Sequence, residues 1–228
     1  MQIYQGDHFF KPIRVELHCH TDASGDSLLS VSTLLKTCVR KRIDKIAITD
    51  HNTIRNALLA NQLAPHSVIV GEEILTRQGE LLAFFVTQEI PAGLDALEAI
   101  AELRKQGAFI SVSHPYDQYR KGYWREADLI KIADQVDAIE VFNARCIRDQ
   151  HNHQARLFAE TYHLLGTVGS DAHTAGEVGK AYHLMDDFTN VEQFRLALMN
   201  SKTYTRLSSP LVHLFSRFAK WKKTFQIA

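Results

Sequence analysis

Long apolar runs are missing from this chain, and no stretch approaches the roughly 20 residues that a bilayer span requires. Excess charge of either sign is missing too. The 26 basic residues balance 26 acidic ones, so no global field draws the protein towards nucleic acid or a membrane. Cysteine is scarce: Cys19, Cys38 and Cys146 show neither a pairing pattern nor CxxC spacing. That excludes a disulfide scaffold, argues against a cysteine-held structural zinc, and suits a reducing compartment. Met1 to Lys11 is mixed and polar, unlike a signal peptide. These absences predict a cytoplasmic protein with no membrane partner and no obligate protein partner. Only five prolines occur, and there is no internal repeat, low-complexity stretch or linker, so 1–228 is expected to form a single domain.

What is present is an alternation of strand and helix patterns in a chain that is 45% hydrophobic, enough to bury a substantial core. β-rich runs occur at Ile13 to Leu17, Lys45 to Thr49, Ser67 to Ile74, Leu81 to Val86, Ala108 to Val112, Ala138 to Phe142 and Leu165 to Gly169. Helical periodicity lies between most of them. Ser30 reads as the N-cap of a helix through Arg42, Leu94 to Lys105 stops at Gly107, and Arg148 to His163 is amphipathic. Repeated βα units imply a largely parallel sheet or barrel. Tyr116 to Arg125 is the expected long loop.

Side chains two apart on a strand point the same way, so His18 with His20, and Asp171 with His173, are each aimed at a shared point. Cys19, between the first pair, points away from them. The other chemistry-bearing residues fall at equivalent places. Asp50 and His51 end the second strand, Glu72 and Glu73 the third, His114 follows Ala108 to Val112, and Asn143 follows Ala138 to Phe142. In a parallel barrel, carboxyl ends form one rim, which brings these distant residues together at the usual active-site face.

His18-Cys19-His20-Thr21, Ile48-Thr49-Asp50-His51-Asn52, Gly71-Glu72-Glu73, Ser113-His114-Pro115, Glu140-Val141-Phe142-Asn143 and Gly169-Ser170-Asp171-Ala172-His173 resemble, in order, the motifs of the PHP (polymerase and histidinol phosphatase) family. The resemblance spans about Val15 to Thr174. It implies a distorted seven-stranded (β/α) barrel carrying up to three divalent metals at its carboxyl rim, with a motif-bearing core over about 13–175 and a strand and helices over 176–228 completing it. Carried over motif by motif, His18, His20, Glu73 and Asp171 hold the first metal. Glu73 bridges to a second held by His114, and Asp26, His51 and His173 hold a third. Ser24-Gly25-Asp26 is one residue longer than the family's usual spacing, so Asp22 stands as the alternative to Asp26. Glu72 is the alternative to Glu73. Asn143 stands where several relatives place a histidine, and its amide oxygen is a weaker ligand for the second metal.

Imidazole and carboxylate suit zinc, manganese or iron, and clustered cations both neutralise a phosphate ester and generate a nucleophile at neutral pH. The expected activity is therefore a metal-dependent phosphoesterase acting on a small phosphorylated metabolite or nucleotide, with metal-bound hydroxide attacking phosphorus. Glu73, Asp171 and His173 take part through the metals. An exonuclease acting on short RNA or DNA, and a non-catalytic metal-binding domain, are the alternatives. Arg145 is a candidate for binding a substrate oxygen bidentately, against a surface ion pair. Tyr116, Tyr119, Tyr123 and Trp124 could stack a base or simply close the rim. His8, His66, His151, His153, His163, His183 and His213 match no motif and are assigned structural or solvated roles. Leu211 to Phe225 mixes apolar residues with Arg217, Lys220, Lys222 and Lys223, and is expected to be a helix packed on the barrel with a solvated basic face, rather than a membrane or nucleic-acid contact.

Overall fold

The structure, a computed structural model, describes residues 11–226; His8 and most of the Met1 to Lys11 stretch lie outside the described residues. Seven strands run round a nearly closed barrel: β1 (Ile13–Glu16), β2 (Lys45–Ile48), β3 (Val68–Leu75), β4 (Glu80–Phe84), β5 (Phe109–Val112), β6 (Ala138–Asn143) and β7 (Leu165–Gly169). Two more, β8 (Ala181–Met185) and β9 (Lys202–Thr205), extend the sheet beyond β1, in the order β7-β6-β5-β4-β3-β2-β1-β8-β9. Helices α1 (Val31–Lys41), α2 (Arg55–Leu63), α3 (Ala96–Lys105), α4 (Glu126–Ile132), α5 (Asp149–Tyr162), α6 (Val191–Met199) and α7 (Val212–Gln226) follow in sequence.

Local chemistry fixes the helix ends. The Ser30 hydroxyl accepts from Thr33 N–H to start α1, and Arg42, in the left-handed region at φ 58°, ends it. Asp95 and Glu98 form a capping box on α3, whose Ala96, Ala99, Ile100 and Leu103 face the sheet. Each such Leu or Ile contributes about 1.5–3 kcal/mol on burial. His163 closes α5 at φ 56°.

Within the seven strands of the barrel, one departs from the parallel pattern. β4 runs antiparallel to both β3 and β5, in register Leu75↔Glu80 and Phe84↔Phe109. Its amino end therefore lies at the rim where its neighbours' carboxyl ends lie. At the opposite end Phe84, Phe109 and Phe194 of α6 pack together, Phe109 and Phe194 edge-on at 4.9 Å, so α6 closes the bottom of the barrel.

The seam lies between β1 and β7. Antiparallel β8 pairs with the first three residues of β1, Ile13↔Met185 to Val15↔His183. Beyond it the chain returns to β7's side: Cys19 bridges Ala172 in parallel, and His20 N–H donates to the Ala172 carbonyl at 2.8 Å. Gly169 permits that closure, because a Cβ there would stand 2.3 Å from His18 Cβ.

Candidate metal centre

The barrel brings the motif residues to one rim. From the end of β1, His18 and His20 aim their Nε2 atoms at each other, 3.0 Å apart. Glu73 from β3 lies 3.3 Å from each of these nitrogens, and Asp171 Oδ1 lies 3.3 Å from His20 Nε2 and 3.7 Å from His18 Nε2. His51 Nδ1 is 3.0 Å from Glu73 Oε2, and His114 Nε2 is 3.1 Å from Glu73 Oε1. Asp26 Oδ1 is 3.2 Å from His173 Nε2 and 3.6 Å from His51 Nε2. Two groupings of lone-pair donors stand out: His18, His20 and Glu73, and His20, His51 and His173. All of these side chains are buried except that of His51.

The surroundings fix how the donors point. His18 Nδ1 donates to Glu140 Oε1 at 2.8 Å, which leaves Nε2 as the electron-pair end. The other Glu140 oxygen accepts from His114 N–H and from the Asn143 amide. His173 Nδ1 lies 2.8 Å from the Asp171 carbonyl and also meets Arg145 Nη1, so these two contacts fix the ring with its Nε2 turned towards Asp26. Asp50 holds the rim loop by accepting from Thr21 N–H and from the hydroxyls of Thr21 and Ser24. Asp171 sits in the left-handed region at φ 51°, a strained setting for a non-glycine residue.

Electrostatics follow from burial and crowding. Burial, reinforced by neighbouring His173 and His51, pushes His20 down to about 3, so it is a neutral donor. Burial also disfavours charge on His18, but Glu140, Asp171 and Glu73 outweigh it and hold its pKa well above the ordinary value, so a cation taken up at Nε2 displaces a proton from it. Glu73 is held low against burial by His18 and His51, and Asp171 by Arg120 and His18. Both stay carboxylates.

A divalent cation fits this donor set. Glu73 Oε2, Asp171 Oδ1, Asp26 Oδ1 and His114 Nδ1 are buried without any hydrogen-bond partner. Three of these are carboxylate oxygens facing imidazole Nε2 or Nδ1 atoms, which is the hard-to-borderline chemistry of zinc, manganese or iron sites.

The alternatives weighed on sequence separate in space. Glu72 points the other way along β3, where its Oε2 accepts from Ile90 N–H and burial pushes its carboxyl up to about 7. Asp22 faces outward and accepts from the Asn56 amide. Asn143 is buried beside the cluster, but its oxygen accepts from Arg145 N–H and faces Arg120, while its amide donates to Glu140 and Asp171. Arg145 is not on the surface. It is buried, with Nε 3.3 Å from Glu177, Nη2 donating to Ser216 Oγ and the Val212 carbonyl, and Nη1 against the His173 ring. Among the other histidines, His183 accepts from Val168 N–H and His213 meets the Arg145 carbonyl.

Three residues enter the site without having been marked. Glu80 opens β4, 3.4 Å from His114 Nε2, and groups with His51 and Glu73 as a third set of donors. Arg120, in the Tyr116 to Arg125 loop, places Nη1 2.5 Å from Asp171 Oδ2 and Nε 3.1 Å from Asp117. Glu140 is the third. Glu140 was legible, since it heads a motif; Glu80 and Arg120 were not, because the first needs the inverted β4 and the second a loop path. The centre opens into a cavity of about 520 Å³, bordered by Asp26, Glu80, Arg120, Arg145, Arg217 and Lys220.

The sequence profile of the PHP-associated family matches residues 149–203. MJ0417 of Methanocaldococcus jannaschii, an uncharacterized protein, is 39% identical over 173 residues, 75% of this chain and 69% of that protein. The fold matches a two-domain Bacteroides vulgatus protein containing a predicted PHP-like metal-dependent phosphoesterase, with TM-score 0.67 and 21% identity over 86% of this chain and 66% of that one. The chain belongs to the PHP family. Other folds of the same shape include the lesion-specific endonuclease PfuEndoQ of Pyrococcus furiosus, with TM-score 0.56 and 15% identity over 84% of this PHP chain and 57% of that one.

Proposed function

We propose that this PHP protein is a metal-dependent phosphoesterase acting on a small phosphorylated metabolite or nucleotide. The observation that carries the reading is the convergence of unpartnered carboxylate oxygens and imidazole nitrogens on one buried rim beside an arginine-lined cavity. His18, His20, Glu73 and Asp171 would hold a first divalent ion, and Asp26, His51 and His173 another. For the ion between them, Glu73 and Glu80, which both approach His114 Nε2 and group with His51, form the better set, because the Asn143 oxygen already accepts from Arg145 N–H. Bound zinc, manganese or iron supplies charge neutralisation and a nucleophile at neutral pH.

The chain's own groups do the rest. Glu140 orients His18, and the Asp171 carbonyl with Arg145 orients the His173 ring, so that Nε2 of each turns towards the cluster. Arg120, held by Asp117, turns its guanidinium into the cavity beside Asp171, where it can bind a phosphoryl oxygen and stabilise charge on the transferring group. Arg145 acts through His173 as a positioning residue. A cavity of about 520 Å³ suits a ligand of nucleotide size. Hydrolysis of short RNA or DNA is the second reading, favoured by exposed Tyr119 at the cavity edge, where a terminal base could stack.

The test is hydrolysis of a panel of phosphomonoesters, nucleotides and short oligonucleotides by metal-stripped and metal-reconstituted protein. Turnover that disappears on chelation and returns on reconstitution is expected. A fully loaded, folded protein inert towards every phosphoester would refute the reading.

A further inference from the structure

The last described helix, α7, is packed on the barrel, yet its apolar side faces away from it. Ser216 and Ala219 are the residues it buries. Its other ties are polar: Lys223 donates to the carbonyls of Asp22 and Ser24, and Arg145 to Ser216 and the Val212 carbonyl. On the opposite side Leu214, Phe218, Trp221 and Phe225, continuing from Leu211, recur at helical spacing, and each is more than half exposed. The aromatics adjoin, Phe218 to Trp221 at 5.9 Å and Trp221 to Phe225 at 5.2 Å, so the stripe is continuous.

An amphipathic helix serving only its own domain turns this stripe inward; singly scattered apolar side chains are normal on a surface, but a continuous outward row calls for a covering. Charge selects among coverings. Arg217 and Lys222 flank the stripe, Lys220 and Lys223 lie nearer the body, and no Asp or Glu occurs from Leu207 to Gln226. Two copies meeting through this face would bring like charges together with no acidic partner on the helix. Trp, Phe and Leu bordered by cations match instead an anionic bilayer surface, where such a helix lies in the interface plane.

We propose that α7 docks the protein in-plane on anionic lipid, with Leu214, Phe218, Trp221 and Phe225 entering the headgroup boundary and Arg217 and Lys222 among the headgroups. Among the described residues no helix is long and apolar enough to cross a membrane, so the association is peripheral. It departs from the sequence expectation of no membrane partner. Because Ser216, Arg217 and Lys220 border the cavity, its mouth then opens beside the lipid surface. The proposal does not depend on the chemistry performed there.

The experiment is flotation of the full-length protein with vesicles of phosphatidylcholine alone or mixed with phosphatidylglycerol, followed by tryptophan emission. Trp221 is 60% exposed and Trp124 only 3%, so a blue shift reports Trp221. Flotation with the anionic vesicles alone, a blue shift, loss of both in Trp221→Glu, and a roughly fivefold weaker association in Lys222→Gln are expected. Circular dichroism and metal content of each variant, unchanged, show that folding is intact. Equal binding to neutral vesicles, flotation retained by folded Trp221→Glu, or no flotation at all would overturn the proposal. A dimer in sedimentation that Trp221→Glu disperses would assign the face to a second copy instead.

Discussion

Replacing Glu73 by Gln removes the charge at the middle of the donor cluster and little else. Its oxygens lie 3.3, 3.3, 3.0 and 3.1 Å from nitrogens of His18, His20, His51 and His114, and the side chain is fully buried. At about 4 Å and an effective dielectric of about 20, one unit of charge is worth roughly 4 kcal/mol, or about three powers of ten in a dissociation constant. With metal at about 1,000 times the native dissociation constant, the native protein gains about 4 kcal/mol of stability from binding. The variant, then only half saturated, gains about 0.4 kcal/mol by the same relation. For a domain of this size the lost increment corresponds to roughly 8–15 °C in Tm. Thermal denaturation with and without added metal, with elemental analysis of each preparation, measures it. Glu72→Gln, one residue away on the other side of β3, should keep the increment. Glu73→Gln retaining the full shift, or Glu72→Gln losing it, would show that the cluster is not organised around Glu73.

Glu72 offers a pH test: its carboxyl is raised by burial from 4.5 to about 7, so its contribution favours the folded state at low pH and is lost as pH rises from about 4.5 to 7. Glu72→Gln should therefore gain roughly 2.5 kcal/mol relative to native between pH 5 and 8, read by urea denaturation at both values; an equal difference at the two pH values would refute it. Arg120→Ala should raise KM for a phosphoester at least tenfold with metal content nearly unchanged, whereas an unaltered KM in steady-state kinetics would remove Arg120 from substrate binding. Arg145→Ala should cost about 3–5 kcal/mol in denaturant unfolding by leaving Glu177 buried without its partner, and Arg145→Ala combined with Glu177→Gln should recover part of that loss. Stripping metal from the native protein should lower Tm by the increment given above, and re-addition should restore it.

The barrel and the histidines of its rim were legible because both depend on short-range rules. Strand alternation pairs His18 with His20 and Asp171 with His173, and βα repetition sends their strands in one direction. What was hidden depends on long-range geometry. Glu80 falls just outside the Leu81 to Val86 run, where no motif marks it; only the reversal of β4 carries it to His114. Arg120 sits on a loop whose path no periodicity describes, while Arg145, a candidate weighed against a surface ion pair, is drawn under α7 by Glu177 and Ser216. The same holds for α7 itself. Composition gave a basic amphipathic helix, but which side would meet the barrel depended on Arg145 and on the carbonyls of Asp22 and Ser24.

The seam between β1 and β7 makes the centre a late event in the life of the chain. His18 and His20 stand on one side of it, Asp171 and His173 on the other, and they become neighbours only when Cys19 meets Ala172 across some 150 intervening residues. Such a loop is entropically slow to close, so a half-assembled barrel exposes imidazoles with no shared focus and cannot hold an ion tightly. An ion that does bind ties the two margins together as a rivet ties the edges of a rolled sheet. Occupancy of the site thereby reports that the cylinder has shut, and removal of the ion should be felt first as increased amide exchange along β1 and β7.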